Sequence, residues 1–518
     1  MAKASSSNTS APKLFIPLTV FLVAFGYRMV FPLRHFGRTL GYDSYYHIYV
    51  TKMLLDQGKV PSFNPYHYYG APHDYPPLFH LLLTPFVKAS ESFSIPVFTS
   101  ANILTALLGG LTALVLYKIG KRYGGETCGL LSGFFFGLAS VDLHYSGFIR
   151  PDNLVCLLMS TSFLGAVLSL AKPEKKFLSL IVFGLALQIF AHNSWLITFT
   201  ILVVFAALNT ALLQNNKKSF NILIAALAAV LIGFLFYKLF APFMLSKNIG
   251  VEYLRSALGA VTSGLEPRSQ AFTPLTLYEL VTGMNIAIPI FAIFGFVLCV
   301  NHIKKEENLF LLVVLSVFSY LAVFKGGRFI VYLELPLVVT ASIGFLELKK
   351  TFDQVSLASG KALRAVLQGL LLGLLLSIPI GGASAVLAQN PSIGVADETL
   401  VSEIANTNKN QKVFSVWDLG HLLAYYKLKP YNDGYPSIRN VSTYDNTMKE
   451  ILWGRKNNRL ELLASTNAKL VYLQTKNQRG LHLIPLLDQT TSYNRVAELV
   501  KLGEEEQIKT IVYIATNN

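Results

Sequence analysis

The sequence predicts a polytopic α-helical membrane protein that carries a small C-terminal α/β domain on its outer face. Three observations predict it. First, the chain is 53% hydrophobic and 14% charged, with a mean hydropathy of +0.47; a soluble chain of 518 residues needs far more charge to cover its surface. Second, apolar runs of bilayer length recur from near residue 14 to near residue 388. Third, from Gln389 onward charge rises and the apolar runs shorten to strand length. The net charge of +15 raises nucleic acid as a partner. The basic residues, however, sit in short clusters between apolar runs, where a membrane protein keeps its cytoplasmic anchors, so no nucleic-acid partner is expected. Cys128, Cys156 and Cys299 all fall in apolar runs and have neither metal-ligand spacing nor a disulfide framework.

Taken in order, residues 1–13 are Ser-rich and read as a disordered cytoplasmic tail. The apolar run that follows lacks a small-residue cleavage site and reads as a retained first span. Spans are expected near 14–33, 96–119, 125–143, 152–171, 177–193, 194–212, 219–243, 277–301, 308–324, 327–347 and 363–388, within a transmembrane domain covering 14–388. Leu78 to Val87 is apolar but short and is placed on the membrane surface. The turns bearing Lys118, Lys121 and Arg122, Lys172 to Lys176, Lys217 and Lys218, His302 to Lys305, and Lys349 to Arg364 are basic. They all land on one face, which the positive-inside rule makes cytoplasmic, as it does the N-terminus. The opposite face receives outer loops 34–95 and 244–276, the turns at Asp152 and His192, the start of the span at Arg328, and residues 389–518. In that last segment Val413 to Val416 and Leu470 to Leu473 read as buried strands and Lys449 to Leu463 as a helix, a domain of about 130 residues.

The chemistry-bearing residues lie on that outer face. Asp43, in Gly41-Tyr42-Asp43-Ser44-Tyr45-Tyr46-His47, follows the first span among aromatic residues. A carboxylate at a membrane interface needs hydration, pairing or a cation. Asp152, in Arg150-Pro151-Asp152-Asn153, opens a span, where an acid also favours the positive end of a helix. Glu266 sits in the long loop 244–276. Each acid alone has an ordinary structural reading; together they are candidate ligands for Mn²⁺ or Mg²⁺, which take oxygen donors and often share them with a substrate phosphate. Arg328 offers a fork of donors suited to phosphate, although an interfacial arginine also reaches for lipid head groups. Trp417 and Asp418 offer a ligand an aromatic wall and an acceptor, although one buried Trp in a small domain is more often core. His47, Arg150, His192 and His421 are accessory candidates on the same face.

These motifs, in this order, resemble the catalytic subunit of oligosaccharyltransferases, the Stt3 and archaeal AglB type of the GT-C membrane glycosyltransferases. Gly41 to His47 is similar to the first acidic motif, Asn64 to Phe79 to the first outer loop, and Asp152-Asn153 to the start of the second acidic motif. Ser263 to Glu266 resembles the Ser/Thr-x-x-Glu of the last large outer loop, Gly327-Arg328-Phe329 with Leu335-Pro336 the arginine-bearing span, and Trp417-Asp418-x-Gly420 the Trp-Trp-Asp-Tyr-Gly motif that reads the acceptor sequon. The chain departs from the family at Leu154, where an acid or histidine is usual, and at Val416 and Leu419, where the family has Trp and Tyr. Gly264 is also an unusual second residue in its motif.

The resemblance implies a GT-C fold of about 11–13 transmembrane helices. It implies transfer of a glycan from a polyprenyl phosphate or diphosphate carrier to Asn of Asn-x-Ser/Thr in an acceptor polypeptide, by a metal-dependent inverting enzyme acting as a single subunit in the membrane lipid. Asp43 and Glu266 would be catalytic, Asp43, Asp152 and Glu266 metal ligands, Arg328 the donor-phosphate group, and Trp417 and Asp418 the acceptor site. Another GT-C enzyme, using a polyprenyl-phosphate sugar to build a lipid-linked glycan or modify a hydroxyl, is the nearest alternative. A transporter is the alternative from another class, and it would place its ionisable groups near mid-bilayer.

Overall fold

The computed structural model of the chain describes residues 12–61, 63–66, 71–72, 75–139, 141, 143, 147–244, 284–324, 329–359, 361–415, 417–431, 450–452, 459–474, 483–502 and 507–516. In chain order the first helices are α1 (Pro12–Arg34), α2 (Asp43–Gln57), α3 (Leu78–Ser92), α4 (Val97–Leu138), α5 (Asp152–Ala171), α6 (Lys175–Ala191) and α7 (Trp195–Leu213). They are followed by α8 (Asn216–Met244), α9 (Ala287–Asn301), α10 (Glu306–Phe324), α11 (Ile330–Ser359) and α12 (Lys361–Ala388). Short strands β1 (Phe63–Asn64) and β2 (Ala71–Pro72) form an antiparallel pair. The C-terminal segment runs α13 (Val395–Thr407), β3 (Lys412–Ser415), α14 (Trp417–Tyr425), β4 (Lys429–Pro430), α15 (Arg459–Ser465), β5 (Leu470–Gln474), α16 (Ile484–Asp488), β6 (Tyr493–Leu502) and β7 (Gln507–Ala515).

The chain divides into two units. One takes the described residues of Met1–Arg38, Pro76–Phe240 and Ala257–Asn390, the other those of Thr39–Tyr75, Ala241–Ser256 and Pro391–Asn518.

The first unit is a multi-pass membrane bundle: among the described residues, eight helices (α1, α4, α5, α7, α8, α10, α11 and α12) are long and apolar enough to cross a bilayer. The 42-residue α4 holds two of the spans expected from sequence, because Gly124 and Gly125 leave helical geometry, Gly125 with φ +76. Its two arms fold back on each other, and a Cβ on Gly129 would press on the Tyr117 carbonyl at 2.6 Å. Two further expected spans correspond to α6 of 17 and α9 of 15 residues, residues 277–283 of the second lying outside the described residues. Leu78 to Val87 lies within α3, which buries Phe79, His80, Leu83 and Val87 and packs on α4 and α6.

Where α9 crosses α11, Gly295 faces the Thr340 carbonyl and Gly344 faces the Phe291 carbonyl so closely that any Cβ would collide with backbone. Lipid tails give helices no hydrophobic reason to associate, so close backbone packing at small residues supplies much of the association. Gly344→Val is therefore expected to destabilise the bundle by about 1–3 kcal/mol, the cost of overpacking a rigid contact. Thermal unfolding in detergent measures it, and an unchanged midpoint would contradict the contact.

Arg28 of α1 is 2% exposed. Its guanidinium donates to the carbonyls of Ala24 at 2.7 Å, Gly137 at 3.3 Å and Phe136 at 3.4 Å. The last two belong to the final turn of α4, whose carbonyls lack partners along the helix, so Arg28 caps the negative end of that helix.

The second unit is built on a mixed five-stranded sheet in the order β4-β3-β5-β7-β6, with β3 parallel to β4 and β5, and β7 antiparallel to β5 and β6. The expected strands at 413–416 and 470–473 are β3 and β5, Val416 lying outside the described residues. The expected helix at 449–463 is described at residues 450–452 and in α15. Burial, aided by Asp397, pushes the Tyr472 hydroxyl of β5 above its ordinary range, so it stays protonated. Onto this C-terminal segment packs α2: Tyr46, Tyr49, Val50 and Met53 form one apolar cluster with Ala424 of α14. Residues 39–75, read from sequence as part of an outer loop of the membrane domain, thus belong to the second unit.

Candidate functional site

Asp43 is the first residue of α2, and its local geometry comes from the residues before it. Gly41 sits at φ +69, a left-handed conformation that a glycine adopts without strain. Its N–H donates to Ser392 Oγ at 2.7 Å, and Ser44 Oγ donates to the Leu40 carbonyl at 2.7 Å. Both contacts fix the chain as it enters the helix. The Asp43 carboxylate consequently stands at the positive end of α2, where a negative charge is favoured, with its side chain 51% exposed. At its other end α2 stops on Gly58, also left-handed at φ +66.

Facing Asp43 is His421 of α14, with Nε2 3.8 Å from Oδ1 and a side chain 7% exposed. The Tyr46 ring lies 5.1 Å from the His421 ring, centroid to centroid. Tyr45 stands edge-on to Tyr425 at 5.4 Å, and Lys52 Nζ donates to the Tyr425 hydroxyl at 3.0 Å. His47 is buried and packs edge-on against Tyr46 and Tyr75 at 5.2 Å from each. The helix that begins with Trp417 and Asp418 is therefore packed on the helix that begins with Asp43. The side chains of Trp417 and Asp418 themselves lie outside the described residues.

Asp152, in the membrane unit, is the first residue of α5 and is 8% exposed. It accepts a hydrogen bond from the Tyr332 hydroxyl of α11 at 2.8 Å, and its Oδ2 is 3.1 Å from Arg150 Nε. The Arg150 guanidinium in turn lies over the Phe148 ring at 4.7 Å. This carboxylate is held by a cation and a hydroxyl before any ligand arrives. Two residues on, Leu154 is 3% exposed and is part of the apolar core, so it offers no donor where the resembling family has one.

His192 has a turn-forming role: its Nδ1 accepts the Ser194 N–H at 3.2 Å, and Gln188 bridges Ser194 and Thr198 at 3.2 and 2.9 Å. Glu266 and Arg328 lie outside the described residues, as does the sequon Asn440-Val441-Ser442. Among the described residues, no three His, Cys, Asp or Glu side chains stand close enough together to hold a metal ion. The donor chemistry nonetheless suits a hard divalent cation at Asp43, whose half-exposed carboxylate offers oxygen. Sequence reasoning did not find Tyr332 as the partner of Asp152, nor Glu334, fully buried one turn into the same helix. An acid inside an apolar run was the available signal for Glu334.

Residues 14–265 match the family described as "Oligosaccharyl transferase STT3, N-terminal". The dolichyl-phosphooligosaccharide-protein glycotransferase 2 of Pyrococcus horikoshii is 24% identical over 515 residues, 81% of this chain and 66% of its own length. The chain thus spans about two thirds of that curated relative. Among solved structures, AglB from Archaeoglobus fulgidus with an inhibitory peptide and a dolichol-phosphate has a TM-score of 0.71 at 13% identity, covering 91% of this chain and 70% of its own. The same oligosaccharyltransferase in complex with Zn and sulfate has a TM-score of 0.67 at 12% identity, covering 90% and 69%. ArnT from Cupriavidus metallidurans, bound to undecaprenyl phosphate, has a TM-score of 0.57 at 12% identity, covering 97% and 98%. The GT-C fold expected from the motifs is the fold of this chain, and the resemblance to the Stt3/AglB type holds across residues 14–265 in sequence.

Proposed function

We propose that this chain, with its GT-C fold and its likeness to the Stt3/AglB oligosaccharyltransferases, transfers a glycan from a polyprenyl, here dolichyl, phosphate or diphosphate carrier to the side-chain amide of Asn in Asn-x-Ser/Thr. The observation that carries it is the packing of two helix starts in one unit: α2, opened by Asp43, against α14, opened by Trp417 and Asp418. That pairing supports a site where an acceptor held by the Trp-Asp pair meets a carboxylate. The match of residues 14–265 to the STT3 family and the likeness to the Pyrococcus horikoshii glycotransferase favour this reading over the other GT-C chemistry.

In the proposed reaction the bond from the sugar carbon to the phosphate oxygen breaks as the amide nitrogen attacks from the opposite face, inverting that carbon, and the nitrogen gives up one proton to solvent. Two difficulties must be met: the leaving phosphate gathers charge, and an amide nitrogen is a poor nucleophile. Asp43, Asp152 and Glu266 would hold a divalent cation such as Mn²⁺ or Mg²⁺, which when bound would neutralise charge on the leaving phosphate. A similar structure solved in complex with Zn and sulfate supports a divalent cation as cofactor. Arg328 binds the donor phosphate through its fork of N–H groups. Asp43 and Glu266 accept the amide N–H bonds and orient the nitrogen for attack. Trp417 and Asp418 hold the hydroxyl two residues beyond the acceptor Asn. On the positive-inside rule the site and the second unit are assigned to the extracytoplasmic side of the membrane.

The test is transfer from lipid-linked donors, extracted from host membranes, to a labelled Asn-x-Thr peptide with and without divalent cation. Product should require Mn²⁺ or Mg²⁺ and vanish on chelation. Product formed equally well under chelation would remove the cation from the mechanism.

A further inference from the structure

We propose that His421 is a ligand of the cation held at Asp43, supplied by the C-terminal segment of the chain; this rests on the cation reading above. The geometry begins with the gap between the two side chains. His421 Nε2 and Asp43 Oδ1 are 3.8 Å apart, too far for a hydrogen bond. Two atoms each bound at about 2.1 Å to one ion stand at most about 4.2 Å apart, so a single cation can bridge this pair with little movement.

The imidazole is also built in rather than free to swing. Its side chain is 7% exposed, and the Tyr46 ring lies 5.1 Å from it. Leu422 and Leu423, the next residues on α14, are fully buried and anchor the helix that carries it. Its other nitrogen, Nδ1, is buried without a hydrogen-bond partner. An ion bound at Nε2 would leave the ring proton on Nδ1, so this imidazole is oriented by its packing and not by the second hydrogen bond that ligating histidines usually make.

A buried imidazole whose Nε2 faces a half-exposed carboxylate beyond hydrogen-bond distance is costly as packing alone. A shared cation would give Nε2 and the Asp43 carboxylate a common partner. The remaining coordination positions go to water and to phosphate oxygens of the donor, as divalent cations commonly arrange. The donor set would also contain nitrogen, which Mn²⁺ and Zn²⁺ accept and Mg²⁺ takes less readily. Leu154 brings no donor.

The experiment is pulsed electron paramagnetic resonance of Mn²⁺ bound to the purified full-length protein in detergent, with no donor or peptide present. The expected result is modulation from one directly bound imidazole nitrogen, shifted when the histidines carry ¹⁵N. That modulation should be lost in His421→Gln and kept in His302→Gln, with Mn²⁺ binding weakened about 10-fold or more by His421→Gln. The ¹⁵N comparison uses the wild-type chain, so misfolding of a variant leaves it intact. Mn²⁺ bound in an Asp43-dependent way without nitrogen modulation would overturn the role of His421 and leave the cation reading standing. Modulation that survives His421→Gln would also overturn it, assigning the nitrogen to another histidine. Failure of Mn²⁺ to bind, or binding unaffected by Asp43→Ala, would overturn the cation reading and this ligand with it.

Discussion

Asp43→Ala should lower glycan transfer by at least about 100-fold while the protein still inserts and purifies, because the residue is proposed both to hold the cation and to orient the amide. The fold should tolerate the change. Asp43 is half exposed at a helix start, and Gly41 and Ser44 also hold the turn. What the helix loses is a favourable charge at its positive end, worth about 1 kcal/mol or less. Initial rates on a labelled peptide, read beside thermal unfolding, separate the two effects. A rate near that of the wild type would sink the assignment of Asp43.

Asp152→Ala should behave differently, losing stability as well as activity. Its carboxylate is buried against Arg150 and accepts the Tyr332 hydroxyl at 2.8 Å. Removing it leaves a largely buried guanidinium without its anion and a buried hydroxyl without its acceptor. Breaking one side of a buried pair costs about 3 kcal/mol or more. Asp152→Asn keeps an acceptor for Tyr332 but not the charge, and should fall between the two in stability. Thermal or denaturant unfolding of the three proteins in detergent measures the order. Equal stability of Asp152→Ala and the wild type would show that Arg150 and Tyr332 find other partners.

Much of this was legible in the sequence, for local reasons. Apolar runs of span length announce membrane helices wherever they fall, and polar residues at their ends, such as Asp43 and Asp152, mark themselves by interrupting a hydrophobic pattern. The short strands at 413–416 and 470–473 were visible for the same reason, being compact apolar runs bounded by polar residues. What stayed hidden depends on pairings across long stretches of chain. Tyr332 lies 180 residues from Asp152, and no periodicity ties them. The assignment of Thr39–Tyr75 to the same unit as the C-terminal segment reflects contacts between α2 and α14, hundreds of residues apart in the chain. The hairpin of β6 and β7 was missed because β6, Tyr493–Leu502, mixes charged and apolar residues as an edge strand does. Arg28 was missed because one basic residue in an apolar helix resembles an interfacial anchor until its carbonyl partners are seen.

The most direct measurement of the central claim is the mass of two matched peptides, one Asn-x-Thr and one Gln-x-Thr, after incubation with the purified protein, Mn²⁺ and lipid-linked donors extracted from its host. A glycan mass added to the Asn peptide alone is the predicted result. An intact donor pool with neither peptide modified would contradict transfer to asparagine and turn the search to the acceptor of a different GT-C enzyme.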